Sequence, residues 1–317
     1  MTENPARTMD EPVEDVLRAE LARGDAAAET VLPILRHLVT NADGTIFSEE
    51  ILARVRSMLE HLVRQVLDVA AGAGEGGQRE HEPGALDALE QAFVNNPALL
   101  SHLHALALEW QLTERLEGRL ALDPVSPPLL QELLASSAPE TQGLAMKFLA
   151  SQARWCQAQR RMELPLRELP MELLHLAFLA CRTLDLTEAY DGQTAAAEAV
   201  RSRFEEGGSR NGLAGRLIAR MGADGVQALS ICHAGVALFL TALAQRSGQT
   251  REAATLCLND VQAARLALAL RAAGVEAAGI EQQFFVLHPD IALPQGLDRV
   301  RPERAATILA SGRGSPP

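Results

Sequence analysis

The sequence predicts an all-α protein, and three observations carry that prediction. Apolar residues make up 47% of the chain while aromatics make up only 3%, so the core stock is Ala, Leu and Val, and the good helix formers Leu, Ala, Arg and Glu dominate. Apolar positions recur at spacings of three and four over long stretches. Between those stretches stand Pro, Gly and Asn where helices start or stop, as at Asn96-Pro97. A chain of 317 residues buries a large core as one, two or three domains.

Residues 11–71 read as helices. In SEEILARVRSMLEHLVRQVLDVA, Ser48 is placed as an N-cap, and Glu49 and Glu50 complement the dipole of the first turn. Leu52, Val55, Leu59, Leu62, Val66 and Val69 then form a coiled-coil seam of almost three heptads. Ile51, Met58, Val63 and Leu67 widen the stripe, so a bundle or a second copy must cover it. This predicts a homodimer that self-associates through Leu52, Val55, Leu59, Leu62 and Val66. The glycines and charges of AGAGEGGQREHEPG cannot stay helical. They predict a linker over 72–84 that divides an N-terminal segment, 1–71, from a domain over 85–290.

That domain reads as helix, short turn, helix. DPVSPP at 123–128 breaks the chain, and SSAPE at 136–140 starts a long helix through Glu163. The antiparallel pairs predict a helical-repeat-like stack of HEAT texture. QRRMELPLRELP, 159–170, interrupts it. Pro165 and Pro170 disfavour helix at the residues before them, so one helix ends near Leu164 and the next begins with Pro170 as its first residue. Leu164, Leu166 and Leu169 point inwards, while Arg160, Arg161, Glu163, Arg167 and Glu168 stay wet. A rigid charged elbow of this kind loses little entropy on meeting a carboxylate or phosphate. Arg160, Arg161, Arg167 and Glu168 are therefore the expected partner-contact residues.

Beyond 183, DLTEAYDGQTAAAEAVRSRFEEGGSRNG reads as a weaker amphipathic helix and a Gly-rich loop. VQALSICHAGVALFLTALA, 226–244, carries Gln227, Ser230, His233 and Thr241 and no basic flank, so it is expected to be a buried central helix and not a membrane span. Helix stops are placed at Gly222, Gly248 and Gly274, and the tail 291–317 holds one short helix.

A net charge of −12 argues against general affinity for nucleic acid or an anionic membrane. The 28 arginines against one lysine reflect a GC-rich bacterial genome. Cys156, Cys181, Cys232 and Cys257 lie far apart in apolar contexts, as small buried hydrophobes do. The acidic start lacks a secretory signal, which predicts a cytoplasmic protein.

Motifs that suggest chemistry fail on context. GAGEGG follows a helix, whereas a dinucleotide fingerprint follows a strand. NADGTIFSEEIL spans ten residues from Asn41 to Glu50 with Ile46 sixth, too short for a calcium loop with its sixth-place glycine. Glu172 and His175 form a single ExxH pair where a di-iron bundle needs two, and His102 and His104 face different ways. His37 and Asn41 share the H-x-x-x-N spacing of some histidine-kinase phosphoacceptor helices. ALAQRSGQTREAATLCL, 242–258, reads as a helix-turn-helix whose second helix offers only Arg251 as a cation.

SQARWCQAQRRMELPLRELPMELLHLAFLA, taken with FLTALAQRSGQTREAATLCLNDVQAARLALALRAAG, resembles a family of uncharacterised alphaproteobacterial proteins with an all-helical domain of unknown function. The likeness covers residues 90–285. It implies a helical, repeat-like fold and brings no catalytic residues. The expected function is a non-enzymatic scaffold or regulatory interaction protein with no cofactor and no metal. The alternatives are phosphotransfer through His37 and a helix-turn-helix transcriptional regulator.

Overall fold

Every regular element among the described residues is helical: thirteen α-helices and short 3₁₀ turns, with no strand. The structure is a computed structural model that describes residues 13–40, 49–71, 81–184 and 206–312. The helices are α1 Val13–Thr40, α2 Glu49–Ala70, α3 Pro83–Val94, α4 Pro97–Leu120, α5 Pro128–Leu134, α6 Pro139–Arg160 and α7 Met171–Thr183. After them come α8 Arg210–Met221, α9 Ile231–Ser247, α10 Arg251–Leu256, α11 Ala263–Ala272, α12 Ala277–Leu287 and α13 Pro302–Ser311.

Local chemistry sets many of these ends. Asn96 caps α4, its side chain accepting from the Ala98 and Leu99 N–H groups at 3.1 Å, with Pro97 as first residue. Gly222, Gly248 and Gly274 all carry positive φ just past α8, α9 and α11, where a side chain would be strained. The calcium-like loop and the expected Ser48 cap fall on 41–48, most of the Gly-rich linker on 72–80, and the weaker amphipathic helix on 185–205; all lie outside the described residues.

The apolar side chains gather in two large clusters, with Trp110, Trp155 and Cys156 forming a small third one. The first is built round α9, which is buried from Ala234 to Ala244 and is touched by α4, α5, α8, α10, α11 and the 3₁₀ turns of 222–229. The expected central helix is thus present, but residues 222–229 before it are 3₁₀ and not α. At Gly235, φ 71° and ψ 168° break the helix, and a Cβ there would stand 2.8 Å from Pro127 Cγ. Only glycine satisfies both demands. No helix among the described residues is long and apolar enough to cross a membrane.

The second cluster is built round α2, with α3, α7, the start of α4 and the last turns of α1. Here the expected self-association seam meets a different fate. Leu52 is 5% exposed, and Val55, Leu59, Leu62 and Val66 are 0% exposed, covered by this chain's own α3, α4 and α7. The second row, Ile51, Met58, Val63 and Leu67, is buried too. At roughly 1.5–3 kcal/mol per buried side chain, turning the seam towards a second copy would forfeit on the order of 10 kcal/mol. The bundle that the wide stripe requires is supplied within the chain.

Two helices belong to both clusters. α1 gives Leu17 and Leu21 to the first and Leu35, Leu38 and Val39 to the second; α4 gives Leu112 and Leu116 to the first and Leu99 to Leu108 to the second. Between its two apolar halves α4 places Glu109 and Trp110. Trp110 meets Trp155 edge to face at 5.5 Å between ring centroids. This aromatic pair marks the junction of the two clusters.

Candidate functional site

Two charged features meet beside that junction, one exposed and one buried. The exposed one is the elbow. α6 ends at Arg160, three residues before the expected Glu163, because Met162 takes a left-handed φ of 55° and the Glu163 N–H turns back to the Ala158 carbonyl at 2.9 Å. Leu166–Glu168 form one 3₁₀ turn, and Pro170 is the N-cap of α7, one place earlier than its expected role. Leu164, Leu166 and Leu169 are buried as their spacing predicts.

α2 grips this turn by its backbone. Gln65 Nε2 donates to the Leu164 carbonyl at 2.8 Å, and its Oε1 accepts the Leu166 N–H at 3.1 Å. The Leu164 N–H donates to His61 Nδ1 at 3.1 Å, and Arg54, itself 4% exposed, donates to the Gln159 carbonyl at 2.6 Å. Arg54, His61 and Gln65 stand seven and four apart, so one side of α2 presents all three. A turn whose peptide groups are satisfied in this way cannot rearrange without leaving buried groups unpaired.

On that frame Arg160 lies 3.7 Å from Glu117 and Arg161 lies 2.9 Å from Glu163, with 55% and 62% of the arginine side chains exposed. Arg167 is exposed as well. Glu168 departs from its expected wet position: it is half-buried, and burial pushes its carboxyl above the usual range although Arg210, Arg167 and Arg154 pull it down. Arg160 and Arg161 thus close α6, whereas Arg167 and Glu168 stand in the 3₁₀ turn that follows, and Glu168 links that turn electrostatically to the buried feature below.

The buried feature is Glu109 held by two arginines. Arg210, first residue of α8, donates to Oε1 at 2.7 Å and Oε2 at 3.2 Å; Arg251, first residue of α10, donates to Oε2 at 2.7 Å and Oε1 at 2.9 Å. Glu109 is 0% and Arg210 1% exposed. Burial opposes ionisation of Glu109, but the charges and hydrogen bonds of Arg210 and Arg251 outweigh it and hold the carboxyl well below the usual range. Arg210 also lies 4.0 Å over the Trp155 ring, and Arg54 lies 5.5 Å over Trp110. Ser209 and Thr250 cap the two helices, accepting from Gly212 and Ala253 N–H at 3.1 Å, so both arginines start from fixed backbone.

With its pKa held low, Glu109 is a carboxylate near neutral pH, paired on both oxygens by Arg210 and Arg251. It ties α4, α8 and α10 together. The crevice beside it, lined by Thr113, Asp123, Pro124, Gln152 and Gly235, has room for about one water molecule.

The remaining sequence candidates lie apart. His37 is exposed in the last turn of α1. Glu172 and His175 are exposed on α7, and no group of three metal-ligating side chains occurs among the described residues. His102 approaches Glu252 at 3.3 Å. In the helix-turn-helix segment, the second helix is only six residues long; Ala253, Ala254 and Thr255 are buried, and Arg251 is turned onto Glu109. Cys156, Cys181 and Cys257 are buried, but Cys232, expected inside, is exposed in the first turn of α9.

Sequence reasoning missed Glu109, Arg210, Arg54, His61 and Gln65, and it read Arg251 as the cation of a recognition helix, whereas Arg251 pairs with buried Glu109. Two signals were present: a lone carboxylate in the apolar run LHALALEWQL, and a polar row at seven-and-four spacing beside the α2 seam. No family matches this chain, nor does any curated protein or solved structure.

Proposed function

We propose that the protein is a non-enzymatic cytoplasmic scaffold or regulatory protein that docks a partner protein at the elbow through Arg160, Arg161, Arg167 and Glu168. The supporting observation is the clamped turn: α2 holds the elbow backbone at Gln159, Leu164 and Leu166 while its arginines stand outside. Ordering cost is then paid on folding and not on binding. Arg160, Arg161 and Arg167 stand exposed on this frame, and planar guanidinium groups recognise a partner's carboxylates by paired hydrogen bonds.

The test is a pull-down from the native host with wild type and with Arg160→Ala/Arg161→Ala. A specific prey retained by wild type and lost by the variant supports the reading. The same prey captured equally by both overturns it. The exposed His37 imidazole supports a second reading, phosphotransfer, in which a cognate kinase labels the wild type and leaves His37→Ala unlabelled; equal labelling ends it.

A further inference from the structure

His288, which ends α12, is buried, yet both nitrogens of its ring meet oxygen. Nδ1 lies 2.7 Å from Asp260 Oδ1, and Nε2 lies 3.0 Å from the Cys257 carbonyl. The His288 side chain is 0% exposed and that of Asp260 79%. A carbonyl and a carboxylate only accept hydrogen bonds. A neutral imidazole carries one N–H and one lone pair, so it satisfies one of these oxygens and sets its lone pair against the other; the imidazolium donates to both.

Asp260 opens the 3₁₀ turn Asp260–Gln262. From α4, Arg115 donates to the Leu287 carbonyl at 3.3 Å and its charge acts on Asp260, with Arg119 near enough to repel Arg115. The Cys257 thiol donates to the Ala253 carbonyl at 3.4 Å, and burial pushes it up to about 12, so it stays neutral. The Phe284 ring lies 5.6 Å from the imidazole, and Asp290, two residues beyond His288, is exposed. When the ring gives up one proton, the Nε2–H is the one it keeps, because Cys257 is fully buried and its carbonyl would go unpaired, whereas water replaces the ring at the exposed Asp260 carboxylate. The bare Nδ1 then repels that carboxylate.

We infer that His288 and Asp260 form a proton-operated latch, which joins the end of α12 to the turn Asp260–Gln262 while the ring carries both protons and releases Asp260 to water when it carries one. The turn leads into α11 and also reaches α1, since Gln262 Nε2 donates to the Gly24 carbonyl at 2.6 Å. The latch therefore sets how firmly this corner of the first cluster is held. It uses none of the elbow residues, so it stands or falls apart from docking there.

Nitrogen NMR on the full chain labelled at histidine, together with amide exchange at Gln262, tests it. The Gln262 N–H closes the turn on the Asn259 carbonyl at 2.9 Å. At about pH 5.5 both His288 ring nitrogens are expected to carry protons, and at about pH 8.5 only Nε2, the two conditions standing on either side of the ordinary imidazole value. Protection of the Gln262 amide, taken against the unfolded chain at the same pH, is expected to fall about tenfold between them. Asp260→Asn should abolish the fall, because a side-chain amide offers its oxygen to a protonated Nδ1 and its NH₂ to a bare one. A His288 ring with a bare nitrogen at the lower pH, wild-type protection equal at both, or the same fall in Asp260→Asn would each overturn the inference.

Discussion

Arg160 and Arg210 are the same side chain in opposite surroundings. Arg160 keeps 55% of its side chain in water and stands 3.7 Å from Glu117; Arg210 keeps 1% and shares Glu109 with Arg251 and the Trp155 face. Water already solvates Arg160, so its ion pair adds little to folding. Arg210 has no such alternative, and its partners must be complete or the helices cannot close on one another. Clustered charges in a sequence thus point to a surface, whereas single charges in apolar runs point to a structural joint.

The largest expected effect follows from removing one cation of the joint. Arg210→Met leaves Glu109 buried with Arg251 alone, and breaking a buried pair of this kind costs about 3–5 kcal/mol, read as a fall in the urea midpoint. Replacing Glu109, Arg210 and Arg251 together by apolar residues of similar volume is expected to recover most of that loss. If Arg210→Met costs under about 1 kcal/mol, the size of an exposed pair, the contrast between elbow and joint fails.

How much of this was legible follows from range. The elbow was readable because its determinants are neighbours: two prolines and three inward leucines within 159–170. The α2 stripe was equally readable, but its partner was not, since periodicity shows that a face needs covering and never which helix covers it. The joint was invisible for the same reason. Glu109 meets Arg210 across 101 residues and Arg251 across 142, and Arg210 sits in GGSRNG, which reads as loop unless Ser209 is taken as a cap. Gly235 read as an ordinary position in an apolar helix because its constraint is Pro127, over a hundred residues away.

A second buried titratable group sharpens the comparison. Burial lowers the pKa of His104, 3% exposed on α4, from 6.5 to about 4. The unfolded chain therefore takes up this proton first, and stability falls as pH drops from 6.5 towards 4, by up to about 3 kcal/mol. Glu109 acts in the same direction at lower pH, since its depressed pKa makes its contribution vanish on acidification. Urea titrations between pH 7 and 4.5 should show the loss, and a neutral His104→Gln variant should flatten it; an equal slope in both would remove His104 as the cause.

Between joint and surface lies the clamp. Gln65→Ala unpairs the Leu164 carbonyl and the Leu166 N–H, both in buried residues, and is expected to cost about 1–3 kcal/mol with faster hydrogen exchange at the Leu166 amide. An unchanged exchange rate would mean that the turn is held by its prolines and not by α2.

The smallest effect is expected at the most conspicuous residues. Arg160→Ala/Arg161→Ala removes two exposed arginines whose pairs with Glu117 and Glu163 are solvated on the outer side, so stability should change by less than about 1 kcal/mol. The backbone of the elbow should stay in place, because Gln65, His61 and Arg54 hold peptide groups and not these side chains. Thermal melting and Leu166 amide exchange check both points. This near-silence makes the variant useful for binding: a prey lost from it is lost through the guanidinium groups, with the fold intact. If instead the variant melts as early as Arg210→Met, the elbow arginines belong to the framework, and a surface kept for a partner is the wrong description of them.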